Sequence, residues 1–128
     1  MKTKFLVIVL LIISVSSCKK SSVDDSSNVD ITNGTWRISY YWDEKDETSD
    51  FSAYYFMFLS GGTFMAHNNT GAITGTWSVS GNRLIINMTD PFLSELNDDW
   101  LIIEKTTTSI KLKDDNPAQD DKLYFTKN

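Results

Sequence analysis

The chain has 128 residues, a formal net charge of −5 and one cysteine. That length suggests one domain. A net acidic chain is a poor partner for nucleic acid, whose phosphates are neutralised by lysine and arginine, and an equally poor basic binder of membrane surfaces. A lone cysteine can form no internal disulfide, so stability must come from burial.

The first residues read as an export signal. Met1-Lys2-Thr3-Lys4 is a positive start, and Phe5 to Ile13 is an unbroken run of nine apolar residues. A membrane-spanning helix needs about 20. Small residues follow at Ser14, Ser16 and Ser17, which completes the pattern of a signal peptide. Val15-Ser16-Ser17-Cys18 resembles the lipobox of bacterial lipoproteins, in which cleavage before the cysteine leaves it lipid-modified. The resemblance implies a signal peptide over 1–17, lipidation of Cys18 and a place in the cell envelope, at the outer membrane. The alternative is an ordinary signal peptide followed by an unmodified thiol. Cleavage before Cys18 removes 17 of the 128 residues and leaves 111; Lys2 and Lys4 go with them, so the charge falls from −5 to −7. Membrane attachment then comes from the lipid, and two or more acyl chains make it stable.

Residues 18–33 are expected to be a flexible tether. They are rich in serine and aspartate and lack apolar periodicity, so they cannot repay the entropy of ordering. From Gly34 the pattern is period-2 alternation broken by turn residues, which predicts an all-β domain over 34–128. The first strand, 34–42, is expected to place Trp36, Ile38, Tyr40 and Trp42 on one face. A second, 53–59, is apolar on both faces. Gly61-Gly62 turns the chain into a third, 63–67. The fourth, 72–79, sets Ile73, Gly75, Trp77 and Val79 against Thr74, Thr76 and Ser78, so Trp36 and Trp77 anchor one core. Ser80-Gly81-Asn82 supplies a hairpin turn into a fifth, 83–89. Asp90-Pro91, as N-cap and first helical residue, predicts one short helical turn over 91–96 with Phe92, Leu93 and Leu96 on its apolar side. Three further strands are expected at 99–105, 108–113 and 122–127.

Eight short strands joined mostly by short turns predict an antiparallel up-and-down barrel, whose closure removes exposed edges. The inward residues are heavily aromatic. That bulk predicts a mostly filled interior, with any cavity small and near one mouth. Successive connections alternate between the two ends, so every long connection falls at the end opposite the tether. Long loops on a rigid scaffold are the usual place for binding. Those loops carry 13 of the 17 carboxylates. The plain reading is a solvated rim that keeps the protein soluble; the sharper one is a rim that attracts cationic ligands or Ca²⁺. The helical turn is either a plug or a lid over a small apolar pocket lined by Trp42, Tyr54, Phe56, Phe92, Leu96 and Trp100.

Catalysis finds little support. His67 is the sole histidine, too few for a nucleophile triad or a zinc cage. No cofactor, metal or nucleic acid is expected. Three sequons, at Asn33, Asn68 and Asn87, are read as chance. Gly34-Thr35-Trp36 on the first strand, with Gly75-Thr76-Trp77, Phe56-x-Phe58 before Gly61-Gly62, and Leu123-x-Phe125, resembles the small lipocalin-like domains of bacterial lipoproteins. Full lipocalins also carry a late arginine packed on the signature tryptophan and a terminal helix; here the last strand offers Lys122 and Lys127 instead, and no helix follows. Together these readings imply a lipid-anchored, non-enzymatic lipocalin-like barrel that binds a small apolar molecule or a glycan at its acidic loop end. The alternative is a protein-interaction module, an inhibitor or accessory subunit, docking through apolar outer residues of the second strand and of Leu101 and Ile103.

Overall fold

In a computed structural model, which describes residues 29–128, the alternating segments form β1 (Trp36–Asp43), β2 (Lys45–Asp46), β3 (Tyr55–Phe58), β4 (Thr63–Asn68), β5 (Gly71–Ser80), β6 (Arg83–Met88), β7 (Asp98–Lys105), β8 (Ser109–Lys113) and β9 (Lys122–Lys127). All pairings are antiparallel, β3 to β9 follow one another in order, and β1 pairs with β9 to close an eight-stranded barrel. β2 is a two-residue strand folded back on the upper end of β1. Short 3-10 turns at Thr48–Phe51 and Leu93–Leu96 are the only helical elements among the described residues. The expected signal peptide over 1–17, Cys18 with its expected lipid, and residues 18–28 of the expected tether lie outside the described residues.

Residues 29–33, expected to be the end of a flexible tether, pack on the barrel instead. Ile31 is buried, Val29 packs on the same core, and the Trp36 indole N–H donates to the Ile31 carbonyl at 3.1 Å. Residues 29–33 therefore belong to the domain and cover its lower pole. Trp36 is fully buried, with Phe58 edge-on at 6.3 Å. Lys127 lays its ammonium 5.2 Å from the centre of the Trp36 ring. The lysine of the last strand thus takes the cation–π position for which no arginine is present. Gly34, at φ +78°, leaves room for it: a Cβ there would stand 3.0 Å from Lys127 Cε.

The interior is filled by aromatic rings. Phe56, Phe58, Phe64 and Phe125 are all fully buried and meet one another at centroid distances of 5.0–6.3 Å, edge-on, tilted or stacked. Each ring buried in this way contributes about 1.5–3 kcal/mol, with a further increment from the edge-to-face geometry. Trp77, the second expected anchor, is half-buried. Its indole N–H donates to the Leu59 carbonyl at 2.9 Å and its ring meets Phe58 edge-on at 5.5 Å. Gly75 is required where β5 meets β6, because a Cβ there would overlap the Asn87 carbonyl oxygen and the Met88 sulfur.

Two bulges shift the alternation. In β1 the register slips between Ile38 and Tyr40, leaving Ser39 as the extra residue. Ile38 faces inward with Phe125; beyond the slip Tyr41 pairs with Leu123 and is buried, while Tyr40 pairs with Tyr124 and Trp42 with Lys122 on the outer wall. The expected inward placement of Tyr40 and Trp42 is therefore corrected. One inserted residue inverts every side chain after it. In β7 a slip between Ile102 and Glu104 likewise turns Lys105 inward and leaves Ile103 52% exposed.

Between β1 and β3 the wall is held by one registered pair, Trp36 with Phe56. The connection from β1 to β3 supplies the missing bonds. The Glu47 N–H donates to the Tyr41 carbonyl at 3.0 Å, Thr48 Oγ1 accepts from the Tyr41 N–H at 2.9 Å, and Arg37 donates to the Ser52 carbonyl at 2.7 Å. Phe51, at the end of this 3-10 turn, is buried edge-on against Tyr41 at 5.2 Å.

Candidate functional site

The loop end is built by the β1–β3, β6–β7 and β8–β9 connections. Asp90 starts the middle one as an N-cap should. Its Oδ1 accepts from the Phe92 and Leu93 N–H groups at 3.0 and 2.9 Å, satisfying donors that a helical turn leaves free. The turn ends where the Trp100 indole N–H donates to the Leu96 carbonyl at 2.9 Å. Asn97 then imitates a neighbouring strand: its amide both accepts from and donates to the Met88 backbone, at 2.6 and 2.8 Å. Leu93 and Leu96 are fully buried, so the turn caps the barrel with its own side chains.

The expected pocket residues fall in three places, two of them joined by Tyr54, whose ring meets Phe56 at 6.2 Å. Phe56, Leu96 and Trp100 are buried in the core. Tyr54 and Phe92 come together at the surface, their rings stacked at 6.0 Å and 26°. Trp42 lies on the outer wall, away from them. Phe92 is 37% exposed and stacks on Phe51 at 5.1 Å as well. The result is an aromatic shelf of Phe92 and Tyr54 resting on the buried Phe51, formed by two connections. Phe51 was missed in the sequence because it stands in a polar segment with no periodic partner; its signal is a single large aromatic among Thr48, Ser49 and Asp50.

Carboxylates from all three connections lie within electrostatic reach of one another. Burial, then Glu47, Asp43 and Asp50, raises the Glu95 carboxyl above the usual range. Burial, then Asp43 and Asp114, raises Asp121. Burial, with Asp114 and Asp99 close by, pushes Asp98 up to about 6. The buried Tyr41 phenol is raised by burial first and by Asp43, Glu95 and Glu47 after it, and its O–H donates to the Glu95 carbonyl at 3.0 Å. Some of this charge is balanced. Lys45 meets Glu47 at 3.7 Å, Lys122 meets Asp120 at 3.1 Å, and Arg83 bridges Asp99 and Asp115, tying the β8–β9 connection to the wall. Among the described residues no three His, Cys, Asp or Glu side chains gather as a metal site. Chemically, the end offers the exposed ring of Phe92 beside Tyr54, with carboxylate acceptors on the surrounding connections.

Two solved structures share this architecture. A DUF4847 family protein from Bacteroides vulgatus is 16% identical, aligns over 77% of this chain and 94% of its own, and superposes with a TM-score of 0.59. An uncharacterised protein from Bacteroides eggerthii is also 16% identical, over 76% of this chain and 99% of its own, with a TM-score of 0.56. At that identity the likeness establishes the fold. No family model and no curated protein matches the sequence.

Proposed function

We propose that the chain is a non-enzymatic lipoprotein of the cell envelope, anchored at the outer membrane through a lipid on Cys18, whose barrel binds a small apolar molecule or a glycan at its acidic loop end. The observation that carries the reading is Phe92, exposed at the pole opposite the chain's entry and stacked on Phe51 and Tyr54. A filled interior directs binding to this shelf, outside the barrel. The ring of carboxylates favours ligands that bring hydroxyl or ammonium donors to an apolar face. The test is fluorescence of a neutral or cationic hydrophobic dye with the full-length chain. Phe92→Ala is expected to abolish most of the enhancement and Trp42→Ala to leave it unchanged; indifference to Phe92→Ala counts against the shelf. Mass spectrometry of the N-terminal peptide from a bacterial host tests the anchor: acylated Cys18 supports it and a free thiol refutes it.

The alternative, a protein-interaction module, draws support from Ile103, 52% exposed beside Leu101 on β7. The apolar outer residues of β3, including Met57, lie on a different part of the wall, because β4, β5 and β6 intervene. A partner would therefore dock on one of these faces.

A further inference from the structure

The outer wall formed by β8, β9, β1 and β3 has an order that the loop end does not explain. Like β4, β5 and β6, the strands β3, β8 and β9 contain no carboxylate, and β1 has only Asp43, at its upper end; what sets this wall apart is the placing of its cations and rings. Outward residues there fall into three rows running across the strands. In the lowest, Arg37 lies beside Tyr55, its guanidinium 4.9 Å from the ring centre, and Tyr55 stacks on His67 at 5.3 Å. In the next, Lys111 stands opposite Tyr124 and Tyr124 opposite Tyr40. The Lys111 ammonium is 5.7 Å from the Tyr124 ring, which meets Tyr40 at 5.3 Å. In the third, Lys113 stands opposite Lys122 and Lys122 opposite Trp42. Each row thus sets a cation in line with an aromatic ring. The bulge at Ser39 is what brings Tyr40 and Trp42 out to complete the upper two.

We propose that this wall, formed by β8, β9, β1 and β3, binds an acidic glycan, with sugar faces stacked on the rings and carboxylates met by the adjacent cations. Successive rows are roughly 6.6 Å apart, so an extended sugar chain lying along the strands can meet more than one of them. Arg37 and Lys113 have no carboxylate partner among the described residues, whereas Lys111 and Lys122 meet Glu104 and Asp120 at the border. A sugar acid carries its carboxylate on the same ring that stacks, which matches a cation set beside each aromatic, whereas the phosphates of a nucleic acid need many free cations. The acidic loop end repels the same ligand, so the two surfaces select opposite charges.

The experiment is calorimetric titration of the full-length chain in neutral detergent with an oligogalacturonate, a neutral galactan oligomer of the same length and single-stranded DNA. The oligogalacturonate is expected to bind at least about tenfold more tightly than the neutral oligomer, and less tightly as salt is raised. Tyr40→Ala/Tyr124→Ala and, separately, the exposed Lys113→Glu should each weaken binding about tenfold, the lysine variant with melting unchanged and the tyrosine variant with melting lowered by loss of the cross-strand pair, while Phe92→Ala leaves binding intact. Absence of binding, equal binding of the neutral oligomer, tighter binding of DNA, or loss with Phe92→Ala would each overturn the proposal. The last result would move the site to the loop end.

Discussion

The Asp98 carboxyl is held up to about 6, against 3.8 for an unperturbed aspartate, by burial and by neighbouring carboxylates. A raised carboxyl pKa means that the folded chain holds this proton more tightly than the unfolded chain. Its contribution is fully present below pH 3.8 and is lost as pH rises through 6. Glu95 and Asp121 are raised too and act in the same sense. Melting temperature is therefore expected to rise as pH falls from 7 to 5. Asp98→Asn should stabilise at pH 7 by about 1 kcal/mol after allowance for solvent screening, keep its bond to the Asp99 N–H, and flatten the pH profile. A melting temperature that falls over that interval would contradict this reading. Gly75 acts through shape alone. Gly75→Ala forces a methyl onto backbone and should cost about 1–3 kcal/mol in urea unfolding, the usual range for overpacking.

Among the elements, the connection over the β1–β3 seam carries the most testable weight. Phe51→Ala removes the ring that closes this gap beneath Phe92 and should destabilise by about 3–5 kcal/mol. Amide exchange should quicken first at Tyr41 and Glu47, whose bonds replace the ladder there. The strands themselves were legible, because alternation of large apolar with small or polar residues is a direct image of a sheet with one face buried. Asp90-Pro91 likewise disclosed its turn through local capping chemistry. The bulges were not legible: Tyr40, Tyr41 and Trp42 are equally aromatic, so nothing local tells which of them faces inward. For the same reason strict alternation points Trp42 inward; Phe51 is hidden differently, by the polar segment that surrounds it. Tyr54 and Phe92 were readable because each flanks an element whose limits the sequence marks, yet their meeting depends on two connections far apart in the chain. The ordering of residues 29–33 is not legible either, since it rests on two apolar residues, Val29 and Ile31, set among the polar Asp30, Thr32 and Asn33.

On the scale of the whole molecule, the meander sorts surfaces by charge. Its long connections, with their carboxylates and the Phe92 shelf, gather at one pole. The chain enters at the other, beneath Trp36, where the β7–β8 turn and the C-terminus also lie: the Lys127 and Asn128 N–H groups donate to the Thr108 and Thr35 carbonyls at 2.9 Å. An anchor at Cys18 would leave 11 residues before Val29, a reach of at most about 40 Å, with the loop end facing away from the bilayer. The most direct measurement is amide chemical-shift mapping of the full-length chain during titration with a neutral hydrophobic ligand. Shifts are expected at Phe51, Tyr54 and Phe92, with Trp36, Phe64 and Phe125 unmoved. Shifts centred on those interior residues would mean that the barrel opens to hold its ligand inside, and would contradict a filled core that binds at its rim.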